Sequence, residues 1–295
     1  MADGGIGNQS PATLFQARLL TIDSVGPNLR LAQYCGNKVV VSGLTVSIPQ
    51  TGLDRDIADN LIDAAGADAG APPAASTLYY VYISNKRSPF SPESIRLSAT
   101  APSYVNGVKY LGISGNALNW RFVGWVRPNA TPEFESSLTS RTIINYYNRF
   151  DLSLFVCPGY VNADAYTTYP ENSAVYAPIH GGVDAKLAFI SNGEDAVSYH
   201  AQISVITNGI QATMSVGVGE DSATTPAVTG LIFTFTSQQI LQQSADKDSV
   251  LLEGFRELTM LFQTQVGPVD VYASGKHWGG AVDTPITYMT ACISG

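Results

Sequence analysis

The chain has 295 residues, enough for one large β domain or two ordinary ones and for a core that needs no disulfide or metal staple. Charged residues are only 14% of it, against about 25% in typical soluble domains, while hydrophobic residues reach 45% and tyrosines number 15. The formal net charge of −8 argues against nucleic acid or an anionic membrane as partner, because either needs a basic face.

No run of about 18 apolar residues is present, so no membrane span is expected. Met1-Ala2-Asp3-Gly4-Gly5 has neither a basic nor an apolar signal region, so no signal peptide is expected. Cys35, Cys157 and Cys292 are odd in number, far apart and without metal-ligand spacing, which reads as free thiols in a reducing compartment.

Strand signals begin at Thr13–Ile22. Leu29–Tyr34 alternates, and Lys38–Ile48 is rich in β-branched residues with Gly43 as a candidate bulge. Gly36-Asn37 between the last two reads as a hairpin turn. Leu53, Ile57 and Leu61 recur every four residues, which suggests a helix over Leu53–Ala65. The competing reading is a surface insertion, since the Ala/Gly-rich stretch to Ser76 holds Pro72-Pro73. Thr77–Ser84 (TLYYVYIS) is an apolar, aromatic central-strand candidate. Ser94–Thr100, Arg121–Arg127 and Thr142–Tyr147 follow, with a turn at Asn106-Gly107.

Residues 151–175 carry turn formers without periodicity and read as a junction. Beyond it, strands are expected over Ala185–Ile190, Ser198–Ile206, Gln211–Val218, Gly230–Thr236, Val250–Val266, Val269–Ala273 and Thr287–Ile293. Ser237–Ser244 reads as a helical turn or a solvated bend. The predicted fold is all-β: two β-sandwich domains, jelly-roll or Ig-like, with short helical insertions, over 1–150 and 176–295.

Catalytic constellations are missing from the sequence. His180, His200 and His277 form no metal motif, and no nucleophile elbow or phosphate loop is present. Gly217-Val218-Gly219-Glu220 imitates part of a dinucleotide fingerprint, but no helix pattern follows it. The carboxylate pairs Asp54/Asp56, Glu194/Asp195 and Glu220/Asp221 sit in polar, turn-like surroundings, where solvation explains them better than glycan hydrolysis. His200 in SYHAQIS reads as a histidine hydrogen-bonded within a sheet. His277-Trp278-Gly279-Gly280 is the most site-like cluster: Trp278 with His277 is a candidate glycan contact, and Trp278 as a cap on a sandwich core is the plainer reading. No enzyme activity, cofactor or metal is expected.

An ordered set runs through the first half: TLYYVYI at Thr77–Ile83, LSATAP at Leu97–Pro102, Tyr110-Leu111-Gly112, RFVGWV at Arg121–Val126 and the closing Asn148-Arg149. Over residues of about 13–150 this resembles a module of virion-associated and tail-fibre-like proteins of tailed bacteriophages. The stretch Leu53–Ser76 departs from that pattern, and the match weakens after residue 160. The resemblance implies a virion structural protein made in the bacterial cytoplasm: a tail fibre or fibre-anchoring component, with head decoration and a host-glycan adhesin as alternatives. Its expected partners are its own copies in a homo-oligomer, most simply a trimer, together with other virion proteins and, in the adhesin case, a host surface glycan.

Overall fold

The computed structural model describes residues 15–21, 25–85, 91–149, 151–158, 167–171, 173–182, 185–206, 212–230, 233–235, 240–266, 269–276, 283–285 and 287–294. The protein is all-β. Among the described residues the only helical segments are the 3-10 turns Pro92–Ser94, Gly115–Asn119 and Ile179–Gly182, and no helix is long and apolar enough to cross a membrane. The described chain forms two compact units, residues up to 137 with 141–149, and residues 138–140 with 151–294.

The first unit holds β1 (Ala17–Thr21), β2 (Val25–Gly26), β3 (Asn28–Gln33), β4 (Lys38–Val41), β5 (Leu44–Ser47), β6 (Leu53–Asp56), β7 (Tyr79–Ser84), β8 (Ile95–Ser98), β9 (Ser103–Val105), β10 (Val108–Tyr110), β11 (Trp120–Val126) and β12 (Phe134–Glu135). The short β13 (Ser140–Arg141) comes next, and β14 (Ile143–Asn145) closes the unit. One sheet runs β1-β3-β6 and a larger one β8-β7-β11-β10-β9. The second edge of β11 is shared, with β10 at its start and β14 at its end.

Leu19, Leu29 and Leu31 from the first sheet share a core with Val81, Ile83, Ile95 and Val123 from the second. Each such side chain, fully buried, is worth about 1.5–3 kcal/mol. Asn145 ties β14 to β1 by imitating a strand partner. Its Oδ1 accepts from the Leu19 N–H at 2.6 Å and its Nδ2 donates to the Leu19 carbonyl at 3.1 Å. All seven residues of β11 are buried, as its aromatic, apolar sequence requires of a central strand.

Three expectations change here. Lys38–Ile48 is a hairpin rather than one bulged strand, turning at Ser42-Gly43, where φ is +50° and +78°. These are the two left-handed positions of a type I′ turn, and Asn106-Gly107 repeats them between β9 and β10. Gly36-Asn37 does not join paired neighbours, since β3 pairs with β1 and β6 and β4 with β5.

The helix expected over Leu53–Ala65 is absent. Leu53–Asp56 pairs with β3, and the aspartates that follow bond to nearby backbone. Asp56 accepts from Ala58 N–H at 2.8 Å, Asp63 from Ala65 and Ala67 at 2.9 Å, and Asp68 from Gly70 at 2.8 Å. Such local side-chain bonds compete directly with a helix ladder.

The second unit holds β15 (Asp151–Val156), β16 (Thr167–Glu171), β17 (Ala177–Pro178), β18 (Lys186–Ser191), β19 (Val197–Ile206), β20 (Ala212–Glu220), β21 (Val228–Thr229), β22 (Phe233–Phe235), β23 (Ile240–Ser249), β24 (Gly254–Val266), β25 (Val269–Lys276), β26 (Asp283–Pro285) and β27 (Tyr288–Ser294). One sheet contains β15-β27-β19-β23, with β25 and β16 extending it past the end of β27. The other runs β18-β24-β20, with β21 and β22 on β20's far edge.

Inward residues Leu154, Ala201, Ile203, Met289 and Ile293 of the first sheet, and Leu187, Phe189, Val216, Val218 and Met260 of the second, are buried. The stretch expected as a junction, 151–175, contains β15 and β16. The turn expected at Ser237–Ser244 leads instead into β23, which pairs with β19 over all ten residues.

Candidate functional site

Two places bring reactive or polar side chains together. The first is the outer face of the β15-β27-β19-β23 sheet. Its register sets Ser153, Cys292, Ser198 and Asp248 in one row and Phe155, Thr290, His200 and Asp246 in the next. Strand alternation turns them away from the core, because Leu154, Ala291 and Tyr199 between them are buried. The rows border an open hollow of about 700 Å³.

Within the hollow, His200 Nδ1 is hydrogen-bonded to Asp246 Oδ1, and the Cys292 thiol is free and exposed. Thiol, imidazole and carboxylate are the residue types of a nucleophile, its base and the group that orients it. Two parts of that chemistry are lacking. No hydrogen bond joins Cys292 to His200. In addition, β19 and β27 are each paired on both edges where they cross the hollow, so their N–H groups serve the sheet ladder rather than a developing oxyanion.

Beneath this face, one cluster links the two sheets of the unit. Tyr199 Oη donates to Glu220 Oε1 at 2.6 Å, and Lys247 Nζ donates to the same oxygen at 2.9 Å. Burial pushes the Tyr199 phenol well above its usual value, and the neighbouring Glu220 carboxylate adds to the shift. Burial also opposes ionisation of Glu220, yet the bonds from Tyr199 and Lys247 outweigh it and hold the carboxyl below the ordinary range.

The second place is a pocket in the first unit. Residues 57–76 form a strap attached to the edge of β8, where Ile62 N–H donates to the Leu97 carbonyl at 2.9 Å and Ser98 Oγ to the Ile62 carbonyl at 2.8 Å. The strap then reaches β11 at Trp120. Gly66 lies so close that a Cβ there would stand 2.4 Å from the indole Nε1, and its φ of +79° suits glycine.

Between strap and sheet lies a pocket of about 240 Å³ walled by Ile62, Gly66, Asp68, Ser84, Glu93, Ser94, Arg96 and Trp120. Trp120 is 7% exposed, and its Nε1 is buried without a hydrogen-bond partner. Leaving such a donor unmet costs roughly 1–3 kcal/mol.

Charge around the pocket is dense. A backbone bond from Gly70 holds the Asp68 carboxyl below its usual range against some burial, helped by Asn60, Arg96 and Arg55. Arg55, buried and paired with Asp59 at 2.8 Å, is pushed down to about 10 by burial and by repulsion from Arg96, against the pull of Asp59, Asp56 and Asp68.

The remaining candidates separate. Asp54 pairs with Arg30, Asp195 accepts from Asn192 at 2.7 Å, and Asp221 bonds Arg256 at 2.6 Å. Gly217 and Gly219 lie inside β20. None of the three cysteines forms a disulfide, and the Cys157 thiol donates to the Thr287 carbonyl at 3.0 Å. His277 and Trp278 lie outside the described residues. Among the described residues, no group of three or more His, Cys, Asp or Glu stands ready to hold a metal ion.

Neither the hollow nor the pocket was anticipated from sequence. The pocket draws on residues 62–68, 84, 93–96 and 120, and no linear motif spans such separations. The hollow had one trace, since a histidine at an alternating position of a polar strand must point to one face or the other.

No protein-family model and no curated protein matches the chain. Among solved structures, that of the infectious bursal disease virus Gx strain is similar over 95% of this chain and 75% of that one, at 9% identity and a TM-score of 0.28. A glycoside hydrolase family 43 arabinoxylan arabinofuranohydrolase from Bacillus subtilis, in complex with cellotetraose, is similar over 89% and 53%, at 12% identity and a TM-score of 0.21. Both scores fall short of a shared fold.

Proposed function

We propose that this chain is a structural protein of a bacteriophage particle, most simply a tail-associated fibre or fibre-anchoring component. The observation that carries the reading is the pairing order of the second unit. Its eight main strands in chain order are β15, β18, β19, β20, the β21/β22 pair, β23, β24 and β27. First pairs with last (β15 with β27), second with seventh (β18 with β24), third with sixth (β19 with β23) and fourth with fifth (β20 with β21 and β22). That nesting is one long hairpin. Rolled up so that β27 meets β19 and β24 meets β20, it has jelly-roll order.

Jelly rolls occur in viral capsids, lectins and cupins. Of these, a cupin reading would want a metal cluster. A particle protein needs repeated water-excluding contacts and no turnover, which suits a low-charge chain rich in tyrosine. Its sheet edges then call for neighbours, and a closed homo-oligomer, expected to be a trimer, supplies them.

Purified particles test this. Quantitative mass spectrometry should find the chain as a stoichiometric component, and antibody labelling in electron microscopy should place it on the tail. Its absence from purified particles would sink the structural role. A copy number close to that of the major head protein, with label over the head, would replace the tail reading with head decoration.

A further inference from the structure

We propose that the outer edge of β5 pairs with the same edge of a second copy of this chain across a two-fold axis. The proposal goes beyond the particle role and does not depend on it.

Hydrogen bonding locates the edge. The β4–β5 hairpin closes on the pair Val41 and Leu44. Along an antiparallel ladder, pairs that exchange their backbone bonds alternate with pairs whose N–H and C=O groups point outward. Val40 with Thr45, and Lys38 with Ser47, are of the outward kind. On β4 that outward row is occupied. The Val40 carbonyl accepts from Arg121, the Lys38 carbonyl accepts from the Gln16 N–H at 2.9 Å, and the Lys38 N–H donates to Gln16 Oε1 at 3.2 Å. On β5 the matching groups of Thr45 and Ser47 meet no partner among the described residues, and both residues are exposed. Elsewhere in the unit, Asn145 covers the edge of β1 and the strap covers that of β8. Unpaired edges are usually blunted by a lysine, a proline or a bulge, and Leu44–Ser47 has none of these.

The edge is self-complementary. Turned about an axis beside Val46, a second β5 runs antiparallel and sets Thr45 opposite the second copy's Ser47. Each such pair then exchanges both of its backbone bonds. Side chains agree with this register. Leu44, Val46 and Ile48 share one face: Ile48 is buried, Val46 packs against the core and Leu44 is 61% exposed. The register lays each Leu44 opposite the second copy's Ile48, which takes the protruding leucine out of water. Thr45 and Ser47 meet on the other face as a hydroxyl pair. Charge favours the same place. Each copy carries a net charge of −8, and residues 39–53 hold no charged side chain, so copies meet here without like charges opposed. A two-fold contact makes pairs and leaves a ring of any order free to form through other surfaces.

Light scattering of the full chain, at concentrations up to its solubility limit, tests the contact. The parent is expected to hold an even number of copies, and Leu44→Lys should halve its mass by setting a charge on the edge. Thr45→Pro should do the same, because it removes an outward N–H that the hairpin's own ladder does not use. Melting temperatures check that both variants fold. Should Thr45→Pro melt lower, Leu44→Lys alone decides. Hydrogen exchange followed by NMR reads the edge itself. The Thr45 and Ser47 amides are expected to be protected in the parent and to exchange freely in Leu44→Lys, while those of Leu44 and Val46, bonded to β4, stay protected in both. The proposal is overturned if the parent is a single copy or an odd number of copies, if Leu44→Lys keeps the parent's mass, or if the Thr45 and Ser47 amides exchange as fast in the parent as in the variant.

Discussion

In the first unit, Arg121 and Lys109 are buried at 0% and 6% exposure with aromatic rings around them. The Arg121 guanidinium lies 4.4 Å from the Tyr147 ring centre and 5.2 Å from that of Phe15. The Lys109 ammonium lies 4.2 Å from Tyr146 and within 6 Å of Tyr104, Trp125 and Phe122. In the second unit, the cluster of Tyr199, Glu220 and Lys247 stands nearer the rim, between two sheets that already share a broad apolar core. The difference shows two ways to hold polar groups inside a β fold. One sets cations against ring faces at the centre, where their removal leaves a void and unpaired acceptors. The other uses a charged hydrogen bond as a pin at the margin, where its loss costs one bond.

The contrast is tested hardest at Arg121. Its Nη1 donates to the Val40 carbonyl and its Nε to Tyr147 Oη at 3.2 Å. Arg121→Ala removes a fully buried side chain and strands the Val40 carbonyl, with an expected loss of about 3–5 kcal/mol. Arg121→Lys keeps the charge without the planar fork and should lie between. Urea unfolding followed by tryptophan fluorescence measures both, since Trp120 and Trp125 belong to this unit. A loss below about 1 kcal/mol for the alanine variant would remove the distinction between the units.

The pin predicts a smaller effect. Tyr199→Phe deletes only the hydroxyl that donates to Glu220, and a hydrogen bond to a charged group is worth about 1.5–3 kcal/mol. Its ring stays in the core, so hydrogen exchange should quicken at the β19 and β20 ends while the centre of the unit stays protected. Equal deprotection across the unit would mean that the cluster supports the whole core.

Much of this architecture was legible in the sequence. Thr77–Ser84 announced a central strand through β-branched and aromatic content, Arg121–Arg127 announced a strand though not its complete burial, and Asn106-Gly107 announced its own turn. The failures share a cause, which is that local pattern is overridden by chemistry it does not encode. Leu53, Ile57 and Leu61 had helical spacing, but aspartates at 56 and 63 captured backbone N–H groups that a helix needs. Ser237–Ser244 read as a helical turn or a bend because its polar residues hid the start of β23, a strand that needs few apolar residues and takes its identity from its partner β19. The hollow and the pocket depend on cross-strand register, which is fixed only once every strand has found its neighbour.

Acidity sharpens the same pin. Glu220 titrates below its ordinary value of 4.5 in the folded protein, so the unfolded chain takes up its proton first. The stability from this group is therefore complete above about pH 4.5 and fades as pH falls through the lower folded value. Glu220→Gln should lower stability at neutral pH and flatten the acid limb of the stability profile, as denaturation midpoints measured from neutral to acidic pH will show. An unchanged acid limb would place the acid sensitivity in other carboxylates.

The smallest effect is expected at Arg30 and Asp54, across β3 and β6. Arg30 Nε and Nη2 reach the two Asp54 oxygens at 2.5 and 2.6 Å, and the contact raises the Arg30 pKa above its usual value. By geometry it matches anything in the interior. Its side chains, however, are 32% and 40% exposed, so water screens the attraction and ordering two flexible side chains offsets it. A double-mutant cycle of Arg30→Ala and Asp54→Ala should give a coupling well below the Tyr199→Phe loss, shrinking with added salt. A coupling as large as the Tyr199→Phe loss would show that bidentate geometry, rather than burial, governs the worth of polar contacts in this protein.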